Sequence, residues 1–297
     1  MLFDSEFLRR IQYLSLVARQ ARGRSLLAAP RKRLPAGGTE VTGLRDYSPG
    51  DDYRHVDWTW CARRDELLTK VFAGQLDLHA YILLDCSPSM GLGEPSKFQL
   101  ARQIAAVLAC AALGNLDCVS VAAFSGGIVA GLPPLRGRAQ LPRLLRFLEQ
   151  LPLQGTQTNL ARATEVFSRR YQRHGPVVLL SDLYDPAGFR PGLDMLLHRG
   201  YEPRVVQIHE PREAEPGLLG DVELCDVESA AVRQVTITER AAACYRKMFA
   251  EFRQSVRGYC AQRGIACLQL ASSTPEDEVV LQVLGARGEG FGARGEG

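Results

Sequence analysis

Three oxygen-bearing side chains stand at every second position in the stretch AYILLDCSPSM (80–90): Asp85, Ser87 and Ser89. One carboxylate and two hydroxyls are hard donors, suited to Mg²⁺ or Mn²⁺ rather than zinc. Taken alone, D-x-S-x-S also reads as the cap of a turn or helix. Two other segments complete the donor set. QGTQTNLARA (154–163) offers Thr158, with Thr156 as the alternative, and SDLYDP offers Asp182, with Asp185 behind it. Together they predict a metal site of Asp85, Ser87, Ser89, Thr158 and Asp182, some acting through water. One position is left open for an incoming carboxylate. The serines are then neutral ligands rather than nucleophiles.

These residues converge only if the elements before them are parallel strands of one sheet. LHAYILLD (78–85) and PVVLLSD (176–182) are apolar runs of strand length that each end in aspartate. EPRVVQIH (202–209) and IACLQLA (265–271) are further buried strands. CVSVAAFS (118–125) and GIVAGLPP (127–134) read as a neighbouring pair. Helices are expected over 97–115, 138–151, 159–173, 189–200, 239–263 and 275–284, and a hairpin over 221–237. Buried strands alternating with helices predict an α/β fold with a mainly parallel central sheet covered on both faces. Ligands of such sheets gather outside the carboxyl ends of the strands. Residues 4–22 carry Phe7, Ile11, Leu14, Ala18 and Ala21 at helical spacing, an amphipathic N-terminal helix.

Composition sets limits. The chain has 297 residues, 46% hydrophobic and 23% charged, with a net charge of +3. That balance predicts no global affinity for nucleic acid. Residues 1–33 hold eight basic side chains against Asp4 and Glu6. They read as a solvated helix face and loop, or as an anionic docking surface that allows peripheral membrane contact. The eight cysteines form no C-x-x-C pair and several sit in apolar or helical patterns, which favours a reducing compartment. With no apolar leader and no run long enough to span a bilayer, the expected location is the cytoplasm.

Asp51, Asp52, Arg54, Asp57, Arg63 and Arg64 lie within fourteen residues. They are expected to form ion pairs around a turn at Pro49-Gly50. Trp58 and Trp60 are expected to share one face of an extended segment. Asp85-x-Ser87-x-Ser89, the threonine loop and Ser181-Asp182 resemble the metal-ion-dependent adhesion site of the von Willebrand factor A fold, a Rossmann-like architecture. Residues 47–72 are similar to the signature of the bacterial family known as domain of unknown function 58. Pro49, Gly50, Asp51, Asp52, Arg54, Asp57, Trp58, Ala62, Arg63, Lys70 and Phe72 match it. CDVESAA (225–231) resembles another family stretch, with Ser229 and Ala230 in place of threonine and glycine. The chain has Gly74-Gln75 where the family often has two acids. Matching Thr-Asn-Leu selects Thr158, while the missing glycine before it keeps Thr156 open. The organisation expected is an N-terminal helix and signature segment (1–75), a von Willebrand factor A-like domain (76–284) and a Gly-rich tail (285–297).

The resemblance implies a protein-binding module rather than an enzyme. Its partner would present an Asp or Glu to the metal, and a MoxR-type AAA+ ATPase is the implied candidate. No G-x-x-x-x-G-K-[ST] loop occurs in the chain, so ATP would be hydrolysed by the partner. Two alternatives stand beside it: a Mg²⁺-dependent hydrolase or phosphotransferase using Asp85, and a peripheral membrane scaffold.

Overall fold

The signature segment folds around a carboxylate that caps a helix. In the computed structural model, which describes residues 3, 7, 9, 41–48, 52–64, 66–72, 79–114, 117–155, 157–217, 219–227 and 231–283, one compact unit is Pro30–Asp77. Strand β1 (Val41–Asp46) pairs antiparallel with β2 (Leu68–Phe72), Leu44 opposite Lys70. Between them runs helix α1 (Trp58–Arg64). Asp57 Oδ1 accepts the amides of Thr59 at 3.0 Å and Trp60 at 3.2 Å, which satisfies donors that a helix start leaves open. Lys70 Nζ stands 3.5 Å from Asp57 Oδ2. The Trp60 amide and, more weakly, Lys70 hold the Asp57 carboxyl below its usual range, against desolvation. Asp52 accepts the Arg54 amide at 3.0 Å in the same way.

The tryptophans are therefore helical, not extended. Two residues along a helix is more than half a turn, so the rings diverge. Trp58 is 60% exposed, whereas Trp60 is half-buried beneath the Arg64 guanidinium, 4.9 Å from its ring centroid.

The second unit comprises Met1–Ala29 and Leu78–Gly297. In chain order it runs β3 (His79–Asp85), α2 (Lys97–Gly114), β4 (Cys118–Phe124), β5 (Ile128–Arg136), α3 (Leu141–Gln150), α4 (Leu160–Arg170), β6 (Pro176–Ser181) and α5 (Arg190–His198). Then follow β7 (Glu202–His209), α6 (Pro211–Ala214), β8 (Gly220–Cys225), β9 (Val232–Ile237), α7 (Glu239–Gln262), β10 (Ala266–Ala271) and α8 (Glu276–Val283). Six strands form one sheet in the order β10-β7-β6-β3-β4-β5. All neighbours are parallel except β4 and β5. The expected hairpin is present as β8 and β9, with Val222 opposite Val235.

Alternation along β3 explains the two-sided core. Ile82 and Leu84 pack with Ile104 and Leu108 of α2, Leu144 of α3 and Val280 of α8. Tyr81 and Leu83 pack on the other side with Phe167 of α4, Leu193 of α5 and Val256 of α7. Both faces are covered, so the central strands are apolar throughout, as parallel strands between helix layers must be. This is the α/β class the sequence predicts.

Of the N-terminal helix expected over 4–22, Phe7 and Arg9 are helical, and Phe3 and Phe7 are buried in the core. The rest of that helix, Pro49-Gly50-Asp51, Thr156, Ser229-Ala230 and the Gly-rich tail lie outside the described residues. No helix among the described residues is long and apolar enough to cross a membrane.

Candidate metal centre

The strand order places β3 at the point where connections diverge. From β3 the chain goes to β4 on one side, while β6, on the other side, leads on to β7 and β10. Crevices at such switch points are where open α/β sheets bind ligands. Leu84 of β3 pairs with Leu180 of β6, so Asp85 and Ser181 leave the sheet side by side.

The turn after β3 is tied to Asp85 itself. Asp85 Oδ1 accepts the Ser87 amide at 2.9 Å, and Asp85 Oδ2 accepts the Ser181 hydroxyl at 2.6 Å. Ser87 Oγ and Ser89 Oγ are 3.0 Å apart. Asp85 and Ser87 are fully buried and Ser89 nearly so. Burial first, and the neighbouring Asp182 second, push the Asp85 carboxyl well above the usual carboxylate range. Asp85 takes part in no ion pair among the described residues.

The threonine loop is bound to the same edge by backbone bonds. The Gln154 amide donates to Cys86 C=O at 2.8 Å, and the Asn159 amide to Ser125 C=O at 3.0 Å. Ser125 Oγ donates to Gln157 C=O at 3.2 Å. Gly155 has φ of 101° beside Ser125, and a Cβ there would overlap the Ser125 hydroxyl. Thr158 is 4% exposed and directly precedes Asn159, whose side chain caps α4 by accepting the Arg162 amide. Asp185 Oδ2 accepts the Leu160 amide at 2.7 Å, so the loop after β6 clamps the start of α4. Asp185 thus holds the threonine loop in place.

Asp182 is buried and both its oxygens are engaged. Oδ1 accepts the Tyr184 amide at 3.1 Å, and Oδ2 accepts Lys97 Nζ at 2.8 Å. Lys97 also reaches Glu213 Oε1 at 2.6 Å and lies over the Tyr184 ring, 5.0 Å from its centroid. Desolvation opposes the Lys97 charge, but Asp182 and Glu213 outweigh it and raise its pKa. Glu213 is fixed in turn, because its Oε2 accepts the Glu210 amide in a capping box at α6. Between Asp182 and Asp185 the backbone turns sharply. Leu183 has φ of 65°, an unusual value for a branched residue, and its amide donates to Ser181 Oγ at 2.8 Å.

The structure thus joins Asp85, Ser87 and Ser89 directly, brings Asp182 close to Asp85 electrostatically, and ties the Thr158 loop to the turn after β3. Lys97 and Glu213 were missed as members of the cluster, and Ser181, named only as the residue before Asp182, proves to bind Asp85. One signal was available: Lys97 is a cation in the first turn of an apolar helix, against the helix dipole. Such a placement needs an anionic partner.

The donors suit a small hard cation. Octahedral Mg²⁺, with oxygens at about 2.1 Å, sets neighbouring ligand oxygens about 3 Å apart. The Ser87–Ser89 separation has that length. Asp85 is a buried carboxylate beside a second one, and a cation would offset that cost. Among the described residues no group of three or more His, Cys, Asp or Glu side chains could hold a metal. Any ion here therefore depends on the serine and threonine hydroxyls.

Fold and loop convergence define an open, doubly wound α/β protein. The chain belongs to the family described as protein of unknown function DUF58, whose model matches residues 43–257. Relatives include an uncharacterized protein of Mycobacterium tuberculosis and one of Mycobacterium bovis. Each is 28% identical over 236 residues, covering 76% of this chain and 73% of the relative. Among solved structures, BatB from Bacteroides thetaiotaomicron is similar at 16% identity and a TM-score of 0.43, over 70% of this chain and 98% of that one. Proximal thread matrix protein 1 from the mussel byssus, with a zinc-occupied MIDAS motif, is similar at 16% identity and a TM-score of 0.37, over 45% of this chain and 38% of that one. Neither likeness bears on what this chain binds.

Proposed function

We propose that this chain is a metal-dependent protein-binding module. Asp85, Ser87, Ser89, Thr158 and Asp182 hold Mg²⁺, or Mn²⁺, at the carboxyl edge of the sheet. The bound ion supplies a Lewis-acidic position that a partner's Asp or Glu side chain completes. The observation that carries this reading is the buried pair of serine hydroxyls, 3.0 Å apart, beside the buried Asp85 carboxylate, which has no ion-pair partner among the described residues. Family resemblance adds the finer expectation of an adaptor for a cytoplasmic MoxR-type AAA+ ATPase in protein assembly or maturation.

Lys97 favours one alternative, because a Mg²⁺-dependent phosphotransferase using Asp85 would want a lysine near its phosphate. That lysine is fully buried, however, and bound by both Asp182 and Glu213. It has a settled structural task, and the binding reading stands ahead.

Affinity capture with the immobilised protein tests the proposal, in Mg²⁺ and in EDTA, with wild type and Asp85→Ala. Partners captured only by wild type in Mg²⁺ support it. Equal capture in all four arms overturns it. Turnover of phosphoesters by wild type, lost in Asp85→Asn, would support the alternative instead.

A further inference from the structure

Helix α7 is longer than the sheet it covers. It has 24 residues, and the strand that follows it has six. That is about 36 Å of helix against about 20 Å of strand. The chain turns directly from the C-terminus of α7 into β10, so the helix runs against the parallel strands. Its N-terminal half therefore points past their carboxyl edge. Phe249 marks the level of that edge, because its ring lies beside that of His209, the last residue of β7, with centroids 5.8 Å apart. The ten residues before Phe249, Glu239–Met248, carry the helix about 15 Å further. Of these ten only Ala242 is buried.

The overhang has a defined face. Ala241, Tyr245, Met248 and Phe252 are spaced to lie on one stripe of the helix. Phe252 fixes where that stripe points. Its ring is 5.5 Å from the ring of Tyr184, in the loop after β6 that also carries Asp182. Lys97, the partner of Asp182, lies over the other neighbour of that stack, Tyr184 itself, 5.0 Å from its centroid. Helix α6, which supplies Glu213 to Lys97, packs against α7 as well. From Phe252 outward the stripe leaves the wall of the candidate metal centre and becomes solvent-exposed, with Tyr245 43% and Met248 63% exposed. Tyr245 is held in place by stacking on Phe249, at 6.5 Å and 18°.

We propose that the overhanging half of α7 is the docking surface for the partner whose carboxylate completes the metal site, and that it takes an acidic linear segment carrying a large apolar residue. This rests on the metal-dependent binding proposed above. Charge selects the acidic partner. Arg240, Arg246 and Lys247 stand against Glu239 alone within the overhang, and all four are exposed. Lys247 also faces Glu251 at 3.9 Å, but that pair is open to solvent and weak. Arg240 and Lys247, seven residues apart, flank the Tyr245–Met248 stripe on the side away from the core. The stripe selects the apolar residue. Methionine adapts to varied shapes, and a tyrosine already stacked gives contact area at little entropic cost. One segment of the partner then meets the ion with an Asp or Glu and the stripe with its apolar side chain.

Peptide selection tests this. Random dodecapeptides displayed on phage are selected on the immobilised full-length protein in Mg²⁺. Enriched peptides are synthesised and titrated by fluorescence polarisation, in Mg²⁺ and in EDTA. The titrations use wild type, Tyr245→Gln with Met248→Gln, and Arg240→Glu with Lys247→Glu. Enriched peptides are expected to pair an Asp or Glu with a large apolar residue. Each double variant is expected to weaken them about tenfold or more, while Mg²⁺ affinity by isothermal titration stays that of wild type. Peptides released by EDTA but bound equally by both variants overturn the docking surface and leave the metal reading standing. Peptides weakened by the variants but retained in EDTA overturn the metal reading, and with it the shared segment. Enrichment of basic or purely apolar peptides, or of none, overturns the proposal.

Discussion

Lys97 Nζ lies 2.8 Å from Asp182 Oδ2 in an ion pair closed to solvent on both sides. Glu213 completes the arrangement at 2.6 Å, so one ammonium serves two carboxylates, one from the loop after β6 and one from helix α6. Breaking a buried pair leaves an uncompensated charge. Lys97→Ala is therefore expected to cost about 3–5 kcal/mol of stability, read as the shift in a urea unfolding curve. Glu213→Gln keeps the Asp182 contact and is expected to cost much less. Equal losses in the two variants would mean that Lys97 does not depend mainly on Asp182.

Asp85 has the opposite character. It is buried beside another carboxylate and lacks an ion-pair partner among the described residues. Asp85→Asn keeps its shape and removes the buried charge. In the absence of metal the variant is expected to be more stable than wild type, by about 1–2 kcal/mol. A thermal scan in EDTA reads this directly, and a lower midpoint in Asp85→Asn would contradict it.

Gly155 tests the threonine loop by itself. A methyl group there meets Ser125, whose hydroxyl and carbonyl hold Gln157 and Asn159. Gly155→Ala is expected to weaken Mg²⁺ binding about tenfold or more, while the far-ultraviolet spectrum stays native. Wild-type affinity would mean that the loop position is immaterial to the ion.

His209 gives a pH dependence. Burial first, then Arg253, push its imidazole down to about 4 from the ordinary 6.5. Between those values the unfolded chain binds the proton and the folded one does not, so stability rises with pH across that window. The contribution is fully present above about pH 6.5 and is lost as pH falls toward about 4. His209→Gln is expected to flatten this part of the stability profile. An unchanged slope in urea titrations would show that the ring does not carry it.

The central strands were legible because they are short apolar runs of strand length. Asp85 ends β3 and Asp182 directly follows β6, whereas the switch point is set by the pairing order of the strands, which no single run reveals. The helix expected over 159–173 is present as α4, with Asn159 as its cap. The signature segment was harder to read. Alternating tryptophans suggested extended chain, but Asp57 caps the amides of Thr59 and Trp60 and starts a helix instead. Lys97 and Glu213 are joined to the cluster by tertiary pairing, across 85 residues of chain from Lys97 to Asp182 and 116 from Lys97 to Glu213. No local pattern reports such a meeting. Glu213 in particular depends on a four-residue helix that only its capping box defines.

The central claim is that the Asp85 cluster binds a divalent cation, and isothermal titration of the metal-free protein with MgCl₂ tests it most directly, with Asp85→Ala as the control. Saturable binding to wild type, absent from a folded Asp85→Ala, is the expected result. Identical titrations for the two proteins, whether both flat or both saturable, would contradict it.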